Sequence, residues 1–385
     1  MMKKIRLTGG KVFTEPGIFE ERDVFLFGDR FVSREEYEAA EAAEEVIGCS
    51  KDYVIPGLTD IHLHGAAGWD CCDGTEEAFA GIARYEAQNG VTTITPATMT
   101  IPEEQLVRTA EAAKRYCLQS AGGRARVEGL YMEGPFLSPA KKGAQKEEDL
   151  RLPDAEWFRR MQERSGSLFR TVALAPELDG APAFLEALKD EVRISAAHTG
   201  ADYDTAADAF RMGIRQLTHL FNAMPSLHHR APGPIAAAAE NPDVMAELIC
   251  DGIHVHPAMV RLAFSLFGDD RIILISDSMR AAGLPDGESE LGGQKVFKEG
   301  KRAYLADQTL AGSVTNLMDC MRCAVLEMQI PLESAVKCAA VNPAKSLGIY
   351  PETGKIAPGS FADLCILDAD LALKEVICRG ERSSI

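Results

Sequence analysis

Eight short apolar runs, most of them followed by a longer stretch with helical periodicity, succeed one another between about residue 53 and residue 278. The strand candidates are 59–64, 92–98, 127–133, 171–175, 193–198, 216–221, 245–250 and 271–277. Helix candidates with capping or charge cues lie between them at 75–89, 102–120, 153–165, 182–190, 202–213 and 257–267, whereas 222–244 reads as more loop than helix. Runs that are apolar on both faces suit parallel strands covered on both sides by helices. Eight such units in series predict an α/β fold, a (β/α)₈ TIM-type barrel.

The chain has 385 residues, more than the roughly 250 that such a barrel needs, and its ends read differently. β-like runs at 5–8, 11–13, 24–27, 46–47 and 53–55 precede the barrel, and 354–367 and 374–377 follow it. Neither end could bury a core alone. The termini are therefore predicted to pair into one small β-sandwich domain, residues 1–55 and 346–385, beside a catalytic barrel of residues 56–345. Residues 34–45 hold six glutamates and one arginine, which reads as a solvated acidic face.

Lys and Arg number 41 against 58 Asp and Glu, a formal net charge of −17. Nucleic acids and anionic membranes are bound through clustered positive charge, so neither is expected as a partner. No long uncharged apolar stretch reads as a membrane span, and no apolar segment of a secretory signal follows Met1-Met2-Lys3-Lys4-Ile5-Arg6. The ten cysteines follow no disulfide-framework spacing, so they read as reduced thiols of a cytoplasmic protein. The pair Cys320 and Cys323 has no second pair at zinc-ribbon spacing and reads as two packed thiols on a helix.

His62-Leu63-His64 ends the first predicted strand, and residues two apart on a strand project to one face. Alone, this pair fits half of a metal site and two hydrogen-bonded structural histidines equally well. The other strand ends add weight to the metal. Glu133 ends the third strand, His198 the fifth and His219 the sixth, and Asp277 ends the eighth. Polar groups there face the end of the barrel where such folds do their chemistry. Four imidazoles and two carboxylates suit a divalent transition metal. With Glu133 central, two ions at the roughly 3.5–4 Å spacing of paired sites are also possible.

These residues lie in motifs that resemble the amidohydrolase superfamily and, within it, the N-acetylglucosamine-6-phosphate deacetylase branch. Pro56-Gly57-Leu58-Thr59-Asp60-Ile61-His62-Leu63-His64-Gly65 and Gly354-Lys355-Ile356-Ala357-Pro358-Gly359 are of the superfamily type. Glu133-Gly134-Pro135-Phe136, His219-Leu220-Phe221-Asn222-Ala223-Met224 and Ala281-Ala282-Gly283-Leu284-Pro285-Asp286-Gly287 resemble the deacetylase branch, as do Asp251-Gly252-Ile253-His254 and Thr309-Leu310-Ala311-Gly312-Ser313.

The resemblance implies hydrolysis of the N-acetyl group of an amino-sugar 6-phosphate, with one or two divalent ions of zinc, iron, manganese or cobalt. Glu133, His198 and His219 would hold the common metal, and His62 and His64 a second that only some members carry. Asp277, also near the metal, would be the base that takes a proton from the attacking water and returns it to the leaving amine. Asn222, Ala223, Arg230, His254, Gln145 and Leu310 would contact the substrate, with Arg230 on its phosphate. In the family that arginine can come from a neighbouring subunit, which implies a homodimer.

Two positions depart from the pattern. Lys142-Gly143-Ala144-Gln145 stands where the family usually ends in His, so an amide replaces a charge-bearing imidazole; Ser278 follows Asp277 where Ala is more usual. The N-acetylgalactosamine 6-phosphate epimer is an alternative substrate. A cyclic-amide hydrolase would need a lysine on the fourth strand, which Arg170-Thr171-Val172-Ala173-Leu174-Ala175 lacks. A non-catalytic metal-binding scaffold is disfavoured, because every ligand and the base are kept.

Overall fold

A computed structural model describes residues 3–119 and 122–383. Ser120, the end of the second predicted helix, lies outside the described residues, as do Met1, Met2, Ser384 and Ile385 at the edges of the terminal regions.

Eight strands form the barrel: β1 (Leu58–Leu63), β2 (Val91–Thr98), β3 (Leu130–Met132), β4 (Phe169–Leu174), β5 (Arg193–Ala196), β6 (Gln216–Leu217), β7 (Met245–Ile249) and β8 (Ile272–Ile275). Each pairs in parallel with its neighbours from β1 through β8. The circle closes just beyond β8, where the Asp277 amide donates to His62 O at 2.9 Å and the His64 amide to Ser278 O at 2.7 Å.

Alternation sorts the side chains. In β8, Ile272 and Leu274 join the core beneath the helices, whereas Ile273 and Ile275 pack with Ile61 and Ile249 in a separate inner cluster. Ala97, Tyr131, Ala173 and Ala197 make a second inner cluster. Continuing the two-residue period carries Tyr131 to Glu133 and Ile275 to Asp277, so both carboxylates emerge at the barrel mouth.

Five of the six expected helices start and end within two residues of expectation, at Glu76–Gln88, Ala155–Ser165, Ala181–Leu188, Tyr203–Met212 and Pro257–Phe267. The sixth, Glu103–Cys117, stops earlier than expected. Thr75, Asp154 and Asp202 cap three of them by accepting backbone N–H groups. The segment expected to be loop contains a helix, Gly233–Glu240. Its Ala236 to Ala239 run favours helix strongly, but the preceding prolines and glycine read as punctuation.

The fifth, sixth and eighth strands are shorter than expected for one shared reason. His198, His219 and Asp277 adopt φ of +43°, +28° and +49°. Left-handed backbone at a non-glycine residue cannot continue a ladder and is strained, so each strand stops before its functional residue.

Both chain ends contribute to one further eight-stranded sheet, in which Leu364–Leu367 pairs antiparallel with Tyr53–Pro56. The long strand Lys4–Phe13 divides this sheet, because residues 4–8 pair with Glu44–Gly48 and residues 11–12 with Tyr53 and Val54. Ile5, Leu26, Val54, Leu364 and Ile377 share its small core. The acidic stretch contains a helix, Arg34–Ala39, anchored by buried Tyr37.

A three-stranded antiparallel sheet, Gly287–Leu291, Gln294–Glu299 and Arg302–Leu305, was not expected. Gly292 and Gly293, both at positive φ, make its first turn, and a Gly-Gly pair between alternating residues was the available signal. Among the described residues, no helix is long and apolar enough to cross a membrane.

Candidate active site

Glu133 lies at the centre of the barrel mouth, 2% exposed. Its Oε1 is 3.1 Å from His219 Nε2, 3.2 Å from His198 Nε2 and 3.5 Å from His62 Nε2. Its Oε2 is 3.3 Å from His64 Nε2, which is also 3.3 Å from Asp277 Oδ1. The six side chains thus form two adjoining groups able to hold an ion, one of Glu133, His198 and His219 and one of His62, His64 and Asp277.

The outer ring nitrogens decide the chemistry of the inner ones. His62 Nδ1 faces Glu247 Oε2 at 2.9 Å, His64 Nδ1 faces Ala97 O at 3.2 Å, and His198 Nδ1 faces Lys141 O at 2.8 Å. Each of those oxygens can only accept, so each Nδ1 carries a hydrogen, and in the neutral ring each Nε2 presents a lone pair inward. His62 Nε2 is buried without a hydrogen-bond partner, and the His198 and His219 Nε2 atoms are 3.2 Å apart. Imidazole nitrogens and carboxylates converging this closely fit a divalent cation, and carboxylate- or carbonyl-backed imidazoles are its usual support.

Without that cation, protons supply the positive charge. Burial pulls the His64 imidazole down, but hydrogen bonds to Asp277 and Glu133 and their charges outweigh it and place its pKa at about 10. His62 is likewise raised well above its ordinary value, the charges of Glu133 and Glu247 overcoming burial. Burial would raise the Glu133 carboxyl, yet the charge on His62 and the hydrogen bonds to His198 and His219 hold it well below the usual range. Asp277 is also lowered, burial being outweighed by the His64 hydrogen bond and the charges of His62 and His64.

A cavity of about 360 Å³ opens over this cluster. The structure brings together His64, Glu133, His198, His219, Asp277, Gln145, Asn222, Ala223, His254 and Leu310 along its wall. His62 lies beneath them, fully buried. Arg230 does not join them: it is exposed on the loop after β6, its amide donating to His228 Nδ1. Gln145 turns toward Glu133 and the Thr100 amide. The Ser278 hydroxyl donates to Gly65 O at 2.9 Å, so it bonds to backbone rather than to Asp277.

His254 Nδ1 is 2.7 Å from Asp251 Oδ2, while Asp251 Oδ1 accepts the Ile253 and His254 amides. Burial lowers the His254 pKa, but the Asp251 hydrogen bond and charge, helped by Asp277, raise it above the ordinary value. Sequence reasoning missed Glu247, Asp251 and the unexpected sheet's Leu291, which lines the cavity. A glutamate inside the otherwise apolar β7 was the signal for the first.

The barrel and its mouth define a metal-using hydrolase. The chain belongs to the amidohydrolase family, whose model matches residues 53–382, and family membership brings use of a divalent metal. Within it, the chain belongs with the N-acetylglucosamine-6-phosphate deacetylases. It is 37% identical over 341 residues to the deacetylase of that name from Bacillus subtilis, covering 88% of this chain and 86% of that one. It is 34% identical over 334 residues to an N-acetylgalactosamine-6-phosphate deacetylase from Escherichia coli O157:H7, covering 86% and 88%. An alanine variant of the Mycobacterium smegmatis N-acetyl-D-glucosamine-6-phosphate deacetylase, solved in complex with N-acetyl-D-glucosamine-6-phosphate, superposes with a TM-score of 0.91 at 32% identity over the whole of both chains.

Proposed function

We propose that this protein hydrolyses the N-acetyl group of N-acetylglucosamine 6-phosphate, releasing acetate and glucosamine 6-phosphate. The observation that carries this is Asp277, an ionised carboxylate on the wall of a sugar-sized cavity, 3.3 Å from His64 in the ligand cluster. A divalent ion held by Glu133, His198 and His219, of zinc, iron, manganese or cobalt, supplies Lewis acidity; His62 and His64 are the candidates for a second. Asp277 takes a proton from the attacking water and returns it to the amine nitrogen as the C–N bond breaks. Its lowered pKa keeps it ionised to receive that proton, and general acid–base help of this kind is worth about 10²–10⁴-fold.

Residues 1–55 and 346–385 serve in this reading as a supporting domain and 56–345 as the catalytic one. Asn222, Ala223, His254 and Leu310 shape the sugar site. Because Arg230 stands outside its own cavity, a homodimer that delivers it from the neighbouring subunit fits the phosphate role. Ten free cysteines, eight of them buried, suit a cytoplasmic enzyme.

The test is acetate release from N-acetylglucosamine 6-phosphate, run beside its galacto epimer. The epimer is the second reading, favoured by the similarity to the Escherichia coli galactosamine-type relative. Faster turnover of the epimer would replace the first reading with the second, and no release from either would remove both. Arg230→Ala is expected to raise KM for the phosphorylated sugar at least tenfold and leave the unphosphorylated sugar almost unchanged. Equal changes for both would take Arg230 off the phosphate.

His254 gives a pH prediction. With its pKa raised, the imidazolium form persists to higher pH than that of an ordinary imidazole and loses its charge as pH climbs through that raised value. KM for the sugar substrate should therefore rise as pH climbs through that value, and Asp251→Asn should move the break to lower pH. A KM flat across that range would mean that the charge on His254 does not contact the sugar.

A further inference from the structure

We infer that Gln145 is a positioning residue for Glu133, an amide clamp that fixes which carboxylate oxygen faces the metal position. The inference rests on the reading above, in which Glu133, His198 and His219 hold the ion. Gln145 Nε2 donates to Glu133 Oε2 at 2.7 Å, and Gln145 Oε1 accepts the Thr100 amide at 2.7 Å. The side chain is 2% exposed.

The orientation of the amide is dictated chemically. The Thr100 N–H can only donate, so the carbonyl end of Gln145 must face it. The NH₂ end is then left for Glu133, and its other contact is Met99 Sδ at 3.7 Å. A flipped amide would set donor against donor at Thr100 and acceptor against acceptor at Glu133. The Gln145 backbone N–H in turn donates to Lys142 O at 2.9 Å, which anchors the clamp to the loop that also supplies the Lys141 carbonyl to His198.

The consequence lies in Glu133. Gln145 is the nearer partner of Oε2, at 2.7 Å against 3.3 Å for His64 Nε2, and as a neutral donor it fixes Oε2 without offsetting the carboxylate charge, which leaves Oε1 directed at His198 and His219. An imidazole at this position could take up a proton and offset that charge; an amide cannot. With its carbonyl on Thr100 and one N–H on Glu133, the side chain has its strongest groups committed before a sugar arrives. Gln145 therefore acts on the ligand, and the substitution for the expected His moves this position from the sugar to the metal support.

Outer partners of metal ligands typically matter by 10–100-fold in metal affinity. Gln145→Met removes the donor at similar volume, and Gln145→Glu is isosteric but turns an acceptor on Oε2. Both are expected to weaken Co(II) or Zn(II) binding by about 10–100-fold in competition with a chromophoric chelator. The visible spectrum of the Co(II) protein should change with them, and the Glu variant, which keeps an acceptor for the Thr100 N–H, separates this effect from any loss of stability in the Met variant. If the Met variant does not fold, the isosteric Glu variant carries the same measurement. Wild-type affinity and spectrum in the folded variants, with KM for the sugar raised, would overturn the clamp and return Gln145 to the substrate. A wild-type protein that binds no cation would instead overturn the functional reading on which the clamp rests.

Discussion

Asp277→Asn is expected to lower kcat for acetate release by about 10²–10⁴-fold, with KM changed little. The substitution is isosteric and keeps one oxygen, so Asp277 Oδ1 near His64 has a replacement. It removes only the capacity to accept and return a proton. The remaining rate then reports what the cation and binding achieve without a base. His62 and His64 lie 3.7 and 3.3 Å from Asp277 Oδ1, and their positive charge is part of why this carboxyl stays ionised. The acidic limb of the pH–rate profile should accordingly lie below the ordinary aspartate range in the wild type and vanish in the variant. Acetate release at the wild-type rate would show that another group takes the proton.

Why the strand ends were legible while the support behind them was not follows from what each must do. A metal ligand at a barrel mouth has to be a His or a carboxylate at the end of an apolar run, and Glu133, His198, His219 and Asp277 stand out against Val, Ile, Leu and Ala. Their positive φ was hidden, because left-handed backbone at His198 or Asp277 leaves no mark in composition. Residues such as Lys141 act through a backbone carbonyl, for which any side chain serves. Gln145 was noticed as a departure, but its partner depended on where Thr100 and Glu133 meet, a contact between the β2 and β3 connections that no local pattern encodes. Leu291 needed the Gly292-Gly293 hairpin to be recognised first.

Removing the metal should affect two measurements, turnover and stability. Chelation followed by dialysis is expected to abolish acetate release, and returning one or two equivalents of a divalent ion to restore it. Loss of activity alone would fit any cofactor, so the second effect is more discriminating. In the metal-free protein, the Nε2 atoms of His198 and His219 face each other at 3.2 Å beside Glu133, and His62 and His64 retain protons against the carboxylates, His64 with a pKa of about 10. A cation must displace those protons, so metal uptake at pH 7 should release protons measurable in weak buffer and should strengthen as pH rises. An ion at a hundred times its Kd stabilises the fold by about 2.7 kcal/mol, roughly 3 °C in melting temperature for a chain of this size. A chelated protein that melts with the untreated enzyme, and takes up metal without releasing protons, would mean that these imidazoles are not its ligands.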